Sequence, residues 1–140
     1  MTGLMKKGII ALTVSFLAVS AAAQQPVSAD RFADAVNHWN KEHGAQTYER
    51  YKPDRFREIA DNIVAYQNAD GGWPKNLDML ARLDPDSVKA ALKPRHRLST
   101  LDNANVYTQV EYLSNVYLLT GDTLYRNSAR RGMELSLIHI

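Results

Sequence analysis

The stretch PDRFREIADNIVAYQNADGGWPKN, Pro53 to Asn76, decides the reading of this chain. Phe56, Ile59, Ile63 and Tyr66 recur at three- and four-residue steps, which places them on one face of an α-helix. Pro53 stands where the first turn of a helix tolerates a proline. The pattern stops at Asn68-Ala69-Asp70-Gly71-Gly72, where two glycines permit the backbone angles that end a helix and open a tight loop.

Working outward, the same helical spacing returns. Upstream, Asp30 is placed to cap a helix carrying Phe32, Val36 and Trp39, and Lys41 to Lys52 reads as a polar linker around Gly44. Downstream, Leu77 to Leu83 is predicted to make about two helical turns. Asp84-Pro85 reads as an N-cap and first-turn proline for a helix to Leu92, closed by Pro94. Lys93 to Arg97 forms a basic loop. A long helix is predicted from about Ala104 to Thr120, with Val106, Val110, Leu113 and Tyr117 on one face and Gly121 at its end. Asp122 then caps a helix carrying Leu124, Tyr125, Ser128 and Gly132. No strand pattern is present, so the expected class is all-α, built of helical hairpins. Such hairpins either bundle or stack into an α/α toroid, and the pattern favours neither.

The two ends read differently from the middle. Lys6-Lys7, the apolar run from Gly8 to Ser20 and the small residues Ala21-Ala22-Ala23 make residues 1–23 a secretory signal peptide, with export to the periplasm or the medium. The apolar run is shorter than the roughly 20 residues that cross a bilayer, so no membrane span is read. Leu135 to Ile140 interrupts an amphipathic pattern without a capping signal and reads as translated sequencing-adapter sequence. On that reading the natural chain continues beyond about Glu134. The organisation is then a signal at 1–23, a leader helix and linker at 24–52, a main helical segment at 53–134 and the tail at 135–140.

Removing Lys6 and Lys7 with the signal leaves as many basic as acidic side chains, 15 of each. That balance argues against a nucleic-acid or membrane-surface binder, which needs a marked basic excess. The absence of cysteine excludes disulfides, thiolate metal sites and a cysteine nucleophile.

Two loops carry residues that suit chemistry. In Asn68 to Asn76, the glycines allow close backbone approach, Trp73 offers a stacking plate and Lys75 a point charge; equally, Trp73 can sit in the core beside a plain helix stop. In Ser99 to Gln109, Asp102, Asn103 and Asn105 gather oxygen ligands of the kind that suit calcium, yet the residue types alone favour Asp102 or Asn103 as a helix cap.

Taken together, Tyr66-Gln67, Gly71 to Asn76, Thr100 to Asn103 and Tyr107-Thr108-Gln109 resemble, in order and spacing, the pectate lyases of polysaccharide lyase family ten. The likeness runs from about Phe56 to Glu134. It implies an α/α toroid enzyme, acting as a monomer, that cleaves polygalacturonate or pectin oligosaccharides by calcium-dependent β-elimination. It implies Asp102 as a catalytic or calcium-site carboxylate, and Trp73, Lys75 and Asn103 as substrate contacts. Asn105 departs from the family pattern at the helix entry. The family's base arginine falls downstream of the chain, so the stretch given is expected to be inactive and marginally folded by itself. Arg126, Arg130 and Arg131 read instead as a solvated helix face.

Two other readings compete. The run from Gln67 to Trp73 also resembles the glutamine-tryptophan repeats of terpene cyclases, against which the export signal speaks. A noncatalytic sugar-binding module using Trp73 and the tyrosines is a third, although such modules are usually β-sandwiches.

Overall fold

Five α-helices carry the residues described by the computed structural model, 27–44 and 48–139: α1 (Ala33–His43), α2 (Phe56–Tyr66), α3 (Pro85–Ala91), α4 (Tyr107–Thr120) and α5 (Thr123–Ile138). Among the described residues the only β pairing is one isolated bridge between Arg50 and Ala81, so the all-α expectation holds. The segment read as a signal peptide, residues 1–23, lies outside the described residues. No described helix is long and apolar enough to cross a membrane.

The core forms around α2, whose Phe56, Ile59, Ile63 and Tyr66 are all buried as their spacing predicts. Against this face pack Leu113 and Val116 of α4, Tyr125 and Ala129 of α5, and Phe32 and Trp39 from the N-terminal side. The α4 face is turned from the expected one: Val106 and Leu113 are buried, Tyr112 and Val116 join them, and Val110 and Tyr117 are only half-buried. Burial pushes the phenol pKa values of Tyr66, Tyr112 and Tyr125 upward.

Two of the predicted caps are present. Asp84 accepts the Ser87 N–H at 3.0 Å, and Asp122 accepts the Leu124 N–H at 2.9 Å just after Gly121 closes α4 in the left-handed region. Asp30 makes no cap bond; it lies in a 3-10 turn (Asp30–Phe32) that leads into α1. Nor does the helix break at Leu135: α5 runs on to Ile138, with the buried Ser136 hydroxyl donating to Gly132 O at 3.1 Å.

Leu77 to Leu83 is not helical, because its polar groups are committed to tertiary partners. Asn62 Nδ2 donates to both Met79 O and Ala81 O at 3.0 Å. The Tyr51 and Arg82 N–H groups pair with Leu80 O and Glu49 O at 2.7 and 2.8 Å. Asp78 turns inward, its carboxylate fully buried, accepting Arg50 Nε at 2.6 Å, the Tyr48 hydroxyl at 3.0 Å and the Leu80 N–H at 3.0 Å. Burial, and then the Asp78 charge, push Tyr48 up to about 12. Residues 48–51 of the expected polar linker are therefore docked onto the core.

Candidate active site

The first motif loop leaves α2 through a turn in which Gly72 O accepts the Asn68 N–H at 2.8 Å and Asn68 O accepts the Gly71 N–H at 3.0 Å. Gly71 lies at φ 95°, and a β-carbon there would stand 2.5 Å from Arg131 O, so no other residue fits. The chain then drives Trp73 inward. Its ring is fully buried, packed against Gly132 of α5, and its indole N–H donates to Ile63 O at 2.6 Å. Trp73 offers no face to a ligand; the stacking-plate expectation is corrected, and the residue belongs to the core. Lys75, two residues on, returns to the surface.

The second motif loop does not enter its helix directly. A 3-10 turn (Asp102–Ala104) comes first, and α4 begins three residues later than predicted, at Tyr107. Val106 holds the N-cap position, and no side chain makes a cap bond there. Asp102 is thus not the helix cap that residue type alone favoured. Its Oδ2 instead accepts Lys75 Nζ at 3.2 Å, bringing the two motifs together. Asn103 and Asn76 line the same small niche of about 30 Å³, room for about one water molecule.

Among the described residues, the non-glycine positions with positive φ are Asn76, Asn103, Ala104 and Val106, at 61°, 55°, 57° and 70°. All four lie in these two loops. Left-handed backbone costs of order 1–3 kcal/mol per residue and is most foreign to a β-branched valine, so the surroundings must hold it. Asn105 is the main restraint. Its Nδ2 donates to Trp73 O at 2.7 Å and Thr100 O at 2.8 Å, and its Oδ1 accepts Gln109 Nε2 at 2.8 Å. The residue that departs from the family pattern is the one that ties the two loops. Asn105 precedes the helix in extended backbone, so neither its bond to Gln109 nor its contact with Trp73 follows from helical spacing.

These two loops coincide with a match to the family model described as pectic acid lyase, which covers residues 67–139, more than half of the chain. The chain belongs to the pectic acid lyase family. The matched residues take in both motif loops and the α4–α5 hairpin, and extend through the segment read as adapter as far as His139. No curated protein and no solved structure matches the chain.

In this chain, the Lys75–Asp102 pair is a surface pair, with side chains 46% and 68% exposed. Such pairs are worth about 0–1 kcal/mol, so an incoming anion can displace Asp102 from the ammonium at little cost. The residues fit calcium poorly. That ion takes 6–8 oxygen ligands, whereas among the described residues no group of three His, Asp or Glu side chains comes together, and Asp102 faces a lysine.

The arginines of α5 divide. Arg130 pairs with Glu134 at 3.7 Å, and Arg126 lies over the Tyr117 ring, as a solvated face would have it. Arg131 reaches further: it donates to Asn68 O and Ala69 O at 3.0 and 3.3 Å and to Gln67 Oε1 at 3.2 Å, tying α5 to the loop just past α2. Arg131 is thus exposed like the other two, yet bound to the first loop's backbone.

Proposed function

We propose that this member of the pectic acid lyase family cleaves polygalacturonate by β-elimination, as an exported monomer of the family-ten type, with its hairpins forming part of an α/α toroid. The observation that supports this reading is the meeting of Lys75 and Asp102 from two separate motif loops, held by strained backbone and free of any capping duty. A uronate carboxylate reaching Lys75 would exchange for Asp102 at the ammonium. The cation then stabilises the negative charge that develops on the carboxylate as the adjacent carbon-bound proton leaves, before the bond to the leaving sugar oxygen breaks. Asp102, once released, is available to orient the substrate. Asn103 lies beside it in the niche and is proposed as a substrate contact.

The base is not assigned to any arginine here, since Arg131 is engaged with the loop carbonyls of Asn68 and Ala69. Calcium dependence enters the proposal through the family resemblance alone, since the residues described do not by themselves form a calcium site. Incubating the full-length protein with polygalacturonate, with calcium and with a chelator, and following the ultraviolet absorbance of the new double bond tests the reading. Saturated, hydrolytic product would overturn it.

A further inference from the structure

The geometry points to a second carboxylate-reading subsite beside Lys75, in which Arg95 of the basic loop grips the uronate next to the one held at the Lys75–Asp102 pair; this rests on the proposed action on polygalacturonate. The niche at Asp102 is too small for a sugar ring, but on the other side of Lys75 and Asn76 opens a cleft of about 320 Å³. That volume lies at the small end of ligand sites, which run to ~1,000 Å³. Lys75 and Asn76 line both spaces, so a polymer crossing them meets one continuous surface.

The cleft has the ingredients of an acidic-sugar site. Its floor is apolar, with Trp39 and Leu77 buried beneath it, and Thr100 is a hydroxyl at its edge. The Trp39 indole N–H is buried and has no acceptor among the described residues, although the ring lines the cleft. Arg95 and Lys75 are the cationic side chains there against one carboxylate, Glu42.

Arg95 is also presented for the task. The 3-10 turn Pro94–His96 is fastened from behind by Arg97, which donates to Leu92 O and Ala90 O, both at 2.8 Å. Arg95 Nε donates to His96 Nε2 at 3.1 Å, leaving the two terminal nitrogens of its guanidinium without a carboxylate partner among the described residues. A planar fork held at one edge and open at the other suits a carboxylate, and a lysine would not reproduce it.

The test compares wild-type full-length protein with Arg95→Gln and Arg95→Lys on galacturonate oligomers, reading unsaturated product. Arg95 is an exposed loop residue, and a matching melting temperature checks that each variant is folded. Arg95→Gln is expected to raise KM about tenfold while kcat moves little, the loss of one charge-assisted contact. Arg95→Lys should recover part of that loss. An active wild type with KM unchanged in Arg95→Gln overturns the subsite alone, as does a fall in kcat at constant KM. A wild type that yields no unsaturated product overturns the underlying lyase reading instead.

Discussion

Replacing Asn105 by alanine removes the tie between the two motif loops, and the structure sets the cost. Three hydrogen bonds go: two donated by Nδ2 to Trp73 O and Thr100 O, and one accepted from Gln109 Nε2. A bond whose remaining partner stays paired is worth a net ~1 kcal/mol, and a buried group left unpaired costs ~1–3 kcal/mol instead. Trp73 O keeps the Thr100 N–H at 3.3 Å, so the orphans are Thr100 O and the Gln109 amide. One such bond and two orphans make a loss of about 3–7 kcal/mol, a large share of the ~5–15 kcal/mol that holds a domain together. Asn105→Asp should do no better, since a carboxylate cannot donate to either carbonyl. Urea denaturation at constant slope measures the change, with Asn115→Ala on the exposed face of α4 as the control, expected within about 0.5 kcal/mol of wild type. Asn105→Ala unfolding at the same midpoint as that control would refute the claim that this side chain joins the loops.

Other substitutions probe the frame. Gly132→Ala gains about 1 kcal/mol of helix propensity but sets a methyl group 2.7 Å from the Trp73 ring, and overpacking of about 1–3 kcal/mol should outweigh it, so the melting temperature falls. Asp78→Ala leaves Arg50 and Tyr48 without their buried carboxylate and should cost about 3–5 kcal/mol in thermal or urea unfolding, far more than removal of the exposed partner in the Arg82–Glu49 pair. In alkali the raised phenol of Tyr48 contributes stability that is full below pH about 10, the unfolded value, and is lost as pH rises through about 12. Tyr66, Tyr112 and Tyr125 act in the same direction, so phenolate absorbance should rise together with loss of helical circular dichroism rather than before it.

Where local sequence and tertiary packing agree, the fold was legible. Phe56, Ile59, Ile63 and Tyr66 make α2 because nothing else competes for their backbone, and Asp84 and Asp122 cap because their bonds are local. Leu77 to Leu83 misled because its hydrophobic spacing is helical while its carbonyls are claimed by Asn62, seventeen and nineteen residues away. Similarly, Asp102 carries a cap's residue type, but left-handed backbone at Asn103, Ala104 and Val106 carries the helix start past it, which no propensity foretells. Trp73 was open between surface and core; the missing β-carbon of Gly132 and the Ile63 carbonyl settle it inside. The tie through Asn105 required knowing that residues 32 apart in sequence meet.

The most direct test of the account is Asp102→Ala in the full-length protein, with unsaturated product from polygalacturonate and the melting temperature measured on the same preparation. Asp102 makes no cap bond, and its pair with Lys75 is exposed, so stability should change by no more than about 1 kcal/mol. Product formation should fall by a hundredfold or more, the order seen when one preorganised electrostatic group is removed from an active site. Near-normal turnover, or a variant that loses activity only because it unfolds, would contradict a catalytic site at the meeting of Lys75 and Asp102.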